Sequence, residues 1–207
     1  MTGVAAFPAI DLLKTGDLVL FASRSWRDRL PWLRRVAWAH VGMVLHRAGD
    51  PEPQLWETRD GLHRGATITP LATRIARFAG KISIRCLSRP LEPSQSEQLE
   101  AVRRDLGRPA SHGLMDLIAA ADGGWLGARP EHLGEPVDAE LVAMVYQRLG
   151  LLDDVAAGGL PPSRFRPRHF ADGHRLELRK GYALGPEIVL QEPERAPRWS
   201  DFHPQPA

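Results

Sequence analysis

Short apolar runs broken by turn residues set the rhythm of this chain. Asp17 to Ala22 (DLVLFA) predicts a buried strand, introduced by the turn signal Lys14-Thr15-Gly16. His40 to His46 (HVGMVLH) predicts a second. Gln54 to Thr58 (QLWET) follows across Gly49-Asp50-Pro51, so the two read as a hairpin. Ile82 to Leu87 alternates as a further strand, and Glu187 to Leu190 offers the last.

Helical spacing emerges elsewhere. Ser94 with Glu97 three residues on reads as a capping box after Pro93, and Leu99, Val102 and Leu106 then share one face. A second helix is predicted over Ala139 to Leu149, with Leu141, Val142, Val145 and Leu149 inward and Gly150 ending it. Asp138 stands at its N-cap position, where a carboxylate accepts the free amide protons. Leu71 to Phe78 and Leu114 to Ala121 read as shorter helices. No repeat and no regular βαβ alternation occurs, which favours an α+β fold with an antiparallel sheet. One domain is expected over residues 1–191. Residues 192–207, with Pro193, Pro197, Pro204 and Pro206, read as a surface tail.

Composition narrows the function classes. Lys+Arg 27 against Asp+Glu 25 over 207 residues is nearly balanced, so no nucleic-acid partner is expected. One cysteine excludes an intramolecular disulfide or a multi-cysteine zinc site. No apolar run is long enough to span a membrane and no secretion signal is evident, so a cytoplasmic protein is expected. The stretch Arg24 to Trp38 interleaves Arg with Trp26, Trp32 and Trp38. Peripheral membrane contact there competes with a short helix that packs its rings on the sheet, and is not the favoured reading.

Three segments in order carry the chemistry: Gly16 to Phe21 (GDLVLF), then Ala39 to Val44 (AHVGMV) with Leu55-Trp56-Glu57, and much later Asp138 to Leu152 (DAELVAMVYQRLGLL). Pro167-Arg168-His169-Phe170 follows. Together they resemble the circularly permuted papain-like hydrolases of the NlpC/P60 superfamily, which includes lecithin:retinol acyltransferase-like and YiiX-like proteins.

The resemblance implies a papain-like fold in which a strand-borne His is the general base, a polar residue on the next strand orients it, and a Cys at a helix N-terminus is the nucleophile. A helix N-terminus and a nearby imidazolium both favour a thiolate there. The matching positions are His40, Glu57 and Asp138. This chain therefore has a carboxylate where the family has its thiol, a poor nucleophile toward amides and esters. Cys86 lies in the alternating strand and reads as structural.

The resulting expectation is a catalytically impaired relative that keeps a cleft for an acyl, peptide or lipid-like ligand, with Trp38 and Trp56 as its contacting rings. No cofactor is expected. Two alternatives stay open: an active amidase, acyl hydrolase or acyltransferase of the same superfamily, and a metal-dependent hydrolase using His40, Glu57 and Asp138.

Overall fold

The computed structural model describes residues 10–22, 38–47, 49–58, 66–106 and 138–191. Six strands form one antiparallel sheet: β1 (Leu18–Ala22), β2 (His40–Leu45), β3 (Gln54–Thr58), β4 (Ala66–Pro70), β5 (Lys81–Arg85) and β6 (Ile188–Gln191), in the order β4-β3-β2-β1-β5-β6. Helices α1 (Leu71–Ala76), α2 (Pro93–Leu106) and α3 (Asp138–Arg148) accompany it, with two 3-10 turns at Pro162–Arg164 and Pro167–Phe170. The architecture is α+β, an antiparallel sheet packed with helices, as the sequence pattern implies.

Strand alternation divides the core between the two faces of the sheet. Leu18 and Leu20 of β1 and Val41 and Met43 of β2 pack with Val142 and Tyr146 of α3. Val19, Phe21, Val44 and Leu55 point the other way, onto Leu71 and Ile75 of α1. Each such fully buried aliphatic side chain contributes about 1.5–3 kcal/mol. Gly42, on the second face, has no room for a side chain: a Cβ there would meet Leu55 Cδ1 at 2.8 Å.

The predicted helix end at Gly150 is a Schellman motif. Gly150 adopts φ +66°, its N–H reaches Gln147 O at 2.9 Å, and Leu151 N–H reaches Tyr146 O at 2.7 Å.

Three local expectations are corrected. β4 was not anticipated; its five residues are all half-buried, without the buried alternation that marks a strand. The Ser94/Glu97 capping box does not form. Pro93 takes the first helical position, and the Gln95 side chain accepts the Glu92 backbone N–H at 2.9 Å instead. The strand predicted to reach Leu87 ends at Arg85. The helix expected at Leu114–Ala121, most of the Arg/Trp stretch (24–37) and the tail 192–207 lie outside the described residues. No helix among those residues is long and apolar enough to cross a membrane.

Candidate functional site

His40 opens β2, so its side chain stands at an end of the sheet, where elements from both faces can reach it. Register places it opposite Phe21, and the two rings lie 5.4 Å apart at 59°. Glu57 and Thr58 are neighbours on β3 and therefore face opposite sides of the sheet. Asp138 is in the first turn of α3, and Arg74 comes from α1.

These five side chains form one network. The His40 Nε2 lies 2.5 Å from Glu57 Oε2, and its Nδ1 is bonded to Asp138 Oδ2. Asp138 Oδ1 accepts the Thr58 hydroxyl. Arg74 Nε donates to both Glu57 oxygens, at 2.9 Å and 3.0 Å. The Arg74 guanidinium also lies over the Phe21 ring at 4.4 Å and 5.4 Å from the Phe78 ring, so it is held on three sides.

Ionised carboxylates only accept hydrogen bonds, so both imidazole nitrogens must donate and His40 is an imidazolium. Burial alone pulls its pKa down, but the hydrogen bonds and charges of Asp138 and Glu57 outweigh that and raise it from 6.5 to about 9. Burial likewise pushes Glu57 up, and His40 with Arg74 reverses the sign, so its pKa is lowered. Two cations thus balance two anions.

Exposure separates them. The Glu57 side chain is 0% exposed and Asp138 8%, whereas His40 keeps 17% and Arg74 19%. The anions are sealed inside and the cations edge the surface.

Two expectations change on this geometry. The Asp138 carboxylate does not serve as a simple helix cap; its two oxygens go to His40 and Thr58 across the sheet. Trp56 is not a ligand-contacting ring. Its residue is 2% exposed, with the alternation of β3 turning it into the core beside Met43. Trp38 is half-buried at the same end of the sheet as His40, with Lys81 Nζ 5.7 Å from its ring.

The metal alternative loses its geometric basis. Glu57 and Asp138 meet opposite nitrogens of one imidazole, so the three donors do not converge on a point, and no metal-binding group of three such residues occurs among the described residues. Cys86 follows the end of β5, near Asp17; burial and Asp17 push its thiol up to about 11, which makes it unreactive. A shallow depression of about 370 Å³ does exist, but it is lined by Leu13, Lys14, Thr15 and His46, at the opposite end of β2.

Arg74 and Thr58 were not anticipated. The helix expected to run to Phe78 ends at Ala76, and Phe78, two residues past that end, is brought beside Arg74 by the closing turn in which its N–H reaches Ile75 O at 3.0 Å. Thr58 carried only its position, one residue past Glu57.

No family model matches the chain, and no curated relative does. Among solved structures it is similar to the metalloprotein YiiX from Escherichia coli O157:H7, assigned to DUF1105, at 26% identity and a TM-score of 0.40. The similarity covers 66% of this chain and 66% of that one. The similarity is a distant one, and the site stands on its own geometry.

Proposed function

We propose that this protein is a papain-like domain of the permuted NlpC/P60 type, spanning residues 1–191, whose thiol-hydrolase site has become a charge-paired remnant that binds an acyl, peptide or lipid-like ligand without turning it over. One observation carries the reading: His40 receives a group from a helix N-terminus on Nδ1 and a carboxylate from the next strand on Nε2. That is the disposition of nucleophile, base and orienting residue, with Asp138 in the place of the thiol.

The chemistry then follows from charge. An imidazolium pinned between two carboxylates has no lone pair with which to take a proton near neutrality, so His40 cannot act as general base. Asp138, engaged through both oxygens, is a weak nucleophile toward carbonyl carbon. Binding energy is retained while the reacting atom is gone. Trp38 remains the ring available at the rim.

YiiX is described as a metalloprotein. The residues here do not fit a metal. Both His40 nitrogens are occupied by protons shared with carboxylates, and each carboxylate already holds a second donor, Arg74 or Thr58.

The test is Asp138→Cys. The introduced thiol is expected to acylate rapidly with an activated p-nitrophenyl ester, giving a burst that His40→Ala abolishes and an adduct that mass spectrometry assigns to position 138. The unaltered protein gives no burst, and Cys86 reacts only slowly. Rapid, His40-dependent ester turnover by the unaltered protein overturns the reading, as does an introduced thiol no more reactive than Cys86.

A further inference from the structure

The two cations of the network are the groups that meet the surface, and one of them has unused hydrogen-bonding capacity. Arg74 spends only Nε on Glu57. Neither Nη group has a partner among the described residues, although the guanidinium is fixed in place by Glu57 beneath it and by the Phe21 and Phe78 rings. A guanidinium has two binding edges, and the end-on pair of Nη groups matches the spacing of carboxylate oxygens. Here that edge is pre-positioned, so little conformational freedom is lost when a ligand engages it.

The surroundings favour an anion over a neutral group. Glu57 and Asp138 are turned inward and covered, while His40 and Arg74 edge the surface. The half-buried Phe78 ring beside Arg74 supplies apolar surface for whatever the anionic group is attached to.

We propose that Arg74 anchors the carboxylate of the ligand at the mouth of the His40 site, through its Nη edge. This deepens, and rests on, the reading of the site as a ligand-binding remnant. It makes the ligand an acid, either a free fatty acid or a peptide with a free C-terminus, and gives Arg74 two roles: ordering Glu57 through Nε and recognising the ligand through Nη.

The experiment uses the unaltered protein with two acids, octanoate and N-acetyl-phenylalanyl-alanine, each compared with its primary amide by calorimetry. Arginine side-chain N–H resonances are followed in parallel. At least one acid is expected to bind at least about tenfold tighter than its amide, the strength of a charge-assisted pair, and to move the Arg74 signal. Preference for octanoate points to a fatty acid, and preference for the dipeptide acid points to a peptide C-terminus. Arg74→Lys, which keeps the charge opposite Glu57 but loses the planar fork, should weaken acid binding about tenfold or more while the fold persists.

Three outcomes overturn the proposal: no binding of either acid at millimolar concentration, equal binding of acid and amide, or unchanged acid affinity in Arg74→Lys. The comparison of acid with amide needs no variant, so a destabilised mutant does not blunt it. Because Asp138→Cys acylation is read separately, loss of acid recognition with acylation intact removes only the ligand class, whereas absent acylation removes the underlying reading.

Discussion

Two regions of the sheet bury charge, and they do it differently. At the turn into β1, Asp17 accepts backbone N–H groups from Lys14 and Leu87, each at 2.8 Å. Across from it Arg85 donates to the carbonyls of Gly185, Phe170 and Leu184, at 2.7, 3.0 and 2.9 Å. Both charges are answered mainly by peptide groups, which are fixed by the fold itself. At the other end of the sheet, His40, Glu57, Arg74, Thr58 and Asp138 answer one another through side chains from four elements. Backbone partners lock a chain into shape. Side-chain partners can be exchanged one residue at a time.

The largest effect should come from removing the carboxylate that both cations share. Glu57→Ala leaves His40 and Arg74 facing each other across a buried gap, and a loss of about 3–5 kcal/mol in urea unfolding is expected. Measured beside it, Glu57→Gln keeps the shape and isolates the charge. If Glu57→Ala costs no more than an ordinary surface change, the network is incidental and the contrast between the two regions collapses.

The contrast is sharpened next by pH. The pKa of His40 is raised, from 6.5 to about 9, so its contribution is complete below 6.5 and disappears as pH rises through about 9. Glu57 is lowered, so its contribution is present above its ordinary carboxylate range and is lost only as acid protonates the folded group. Stability should therefore fall on the alkaline side by on the order of 3 kcal/mol. His40→Gln should flatten that limb, and Asp17→Ala should leave it intact. A sloping limb that survives in His40→Gln would place the titrating group elsewhere.

At the backbone-satisfied region, Asp17→Ala should cost about 2 kcal/mol, chiefly by orphaning the buried Leu87 N–H. The expected signature is loss of amide protection at Leu87 with no change in the His40 resonances.

This division also explains what the sequence revealed. β3 was legible to the residue, since the Gly49-Asp50-Pro51 turn after β2 sets up a returning hairpin strand over Gln54–Thr58. β4 was not, because Ala66–Pro70 is half-buried throughout and ends in a proline that looks like the approach to a helix. Asp138 was legible as a residue of the α3 start, yet its partner His40 is 98 positions away. Local pattern could not join the two, and only the resemblance to a known site suggested it. Trp56 misled for a simpler reason. Adjacency to Glu57 in sequence puts Trp56 on the opposite face of the strand, where it packs opposite Met43 in the core.

Thr58 turns that same rule to advantage, and it gives the smallest effect and the finest discrimination. Lying one residue past Glu57, it faces the α3 side, and its hydroxyl donates to Asp138 Oδ1. Thr58→Val keeps the shape and removes the donor, leaving His40 to hold Asp138 in the network, for an expected loss of about 1–2 kcal/mol. Thr58→Ser restores the donor and gives up a methyl group. If the hydrogen bond is what matters, Ser should recover most of the loss and the His40 ring resonances should return to their original positions. If Ser is as destabilised as Val, the threonine acts through packing alone, and Asp138 is held at the sheet by His40 without help from β3.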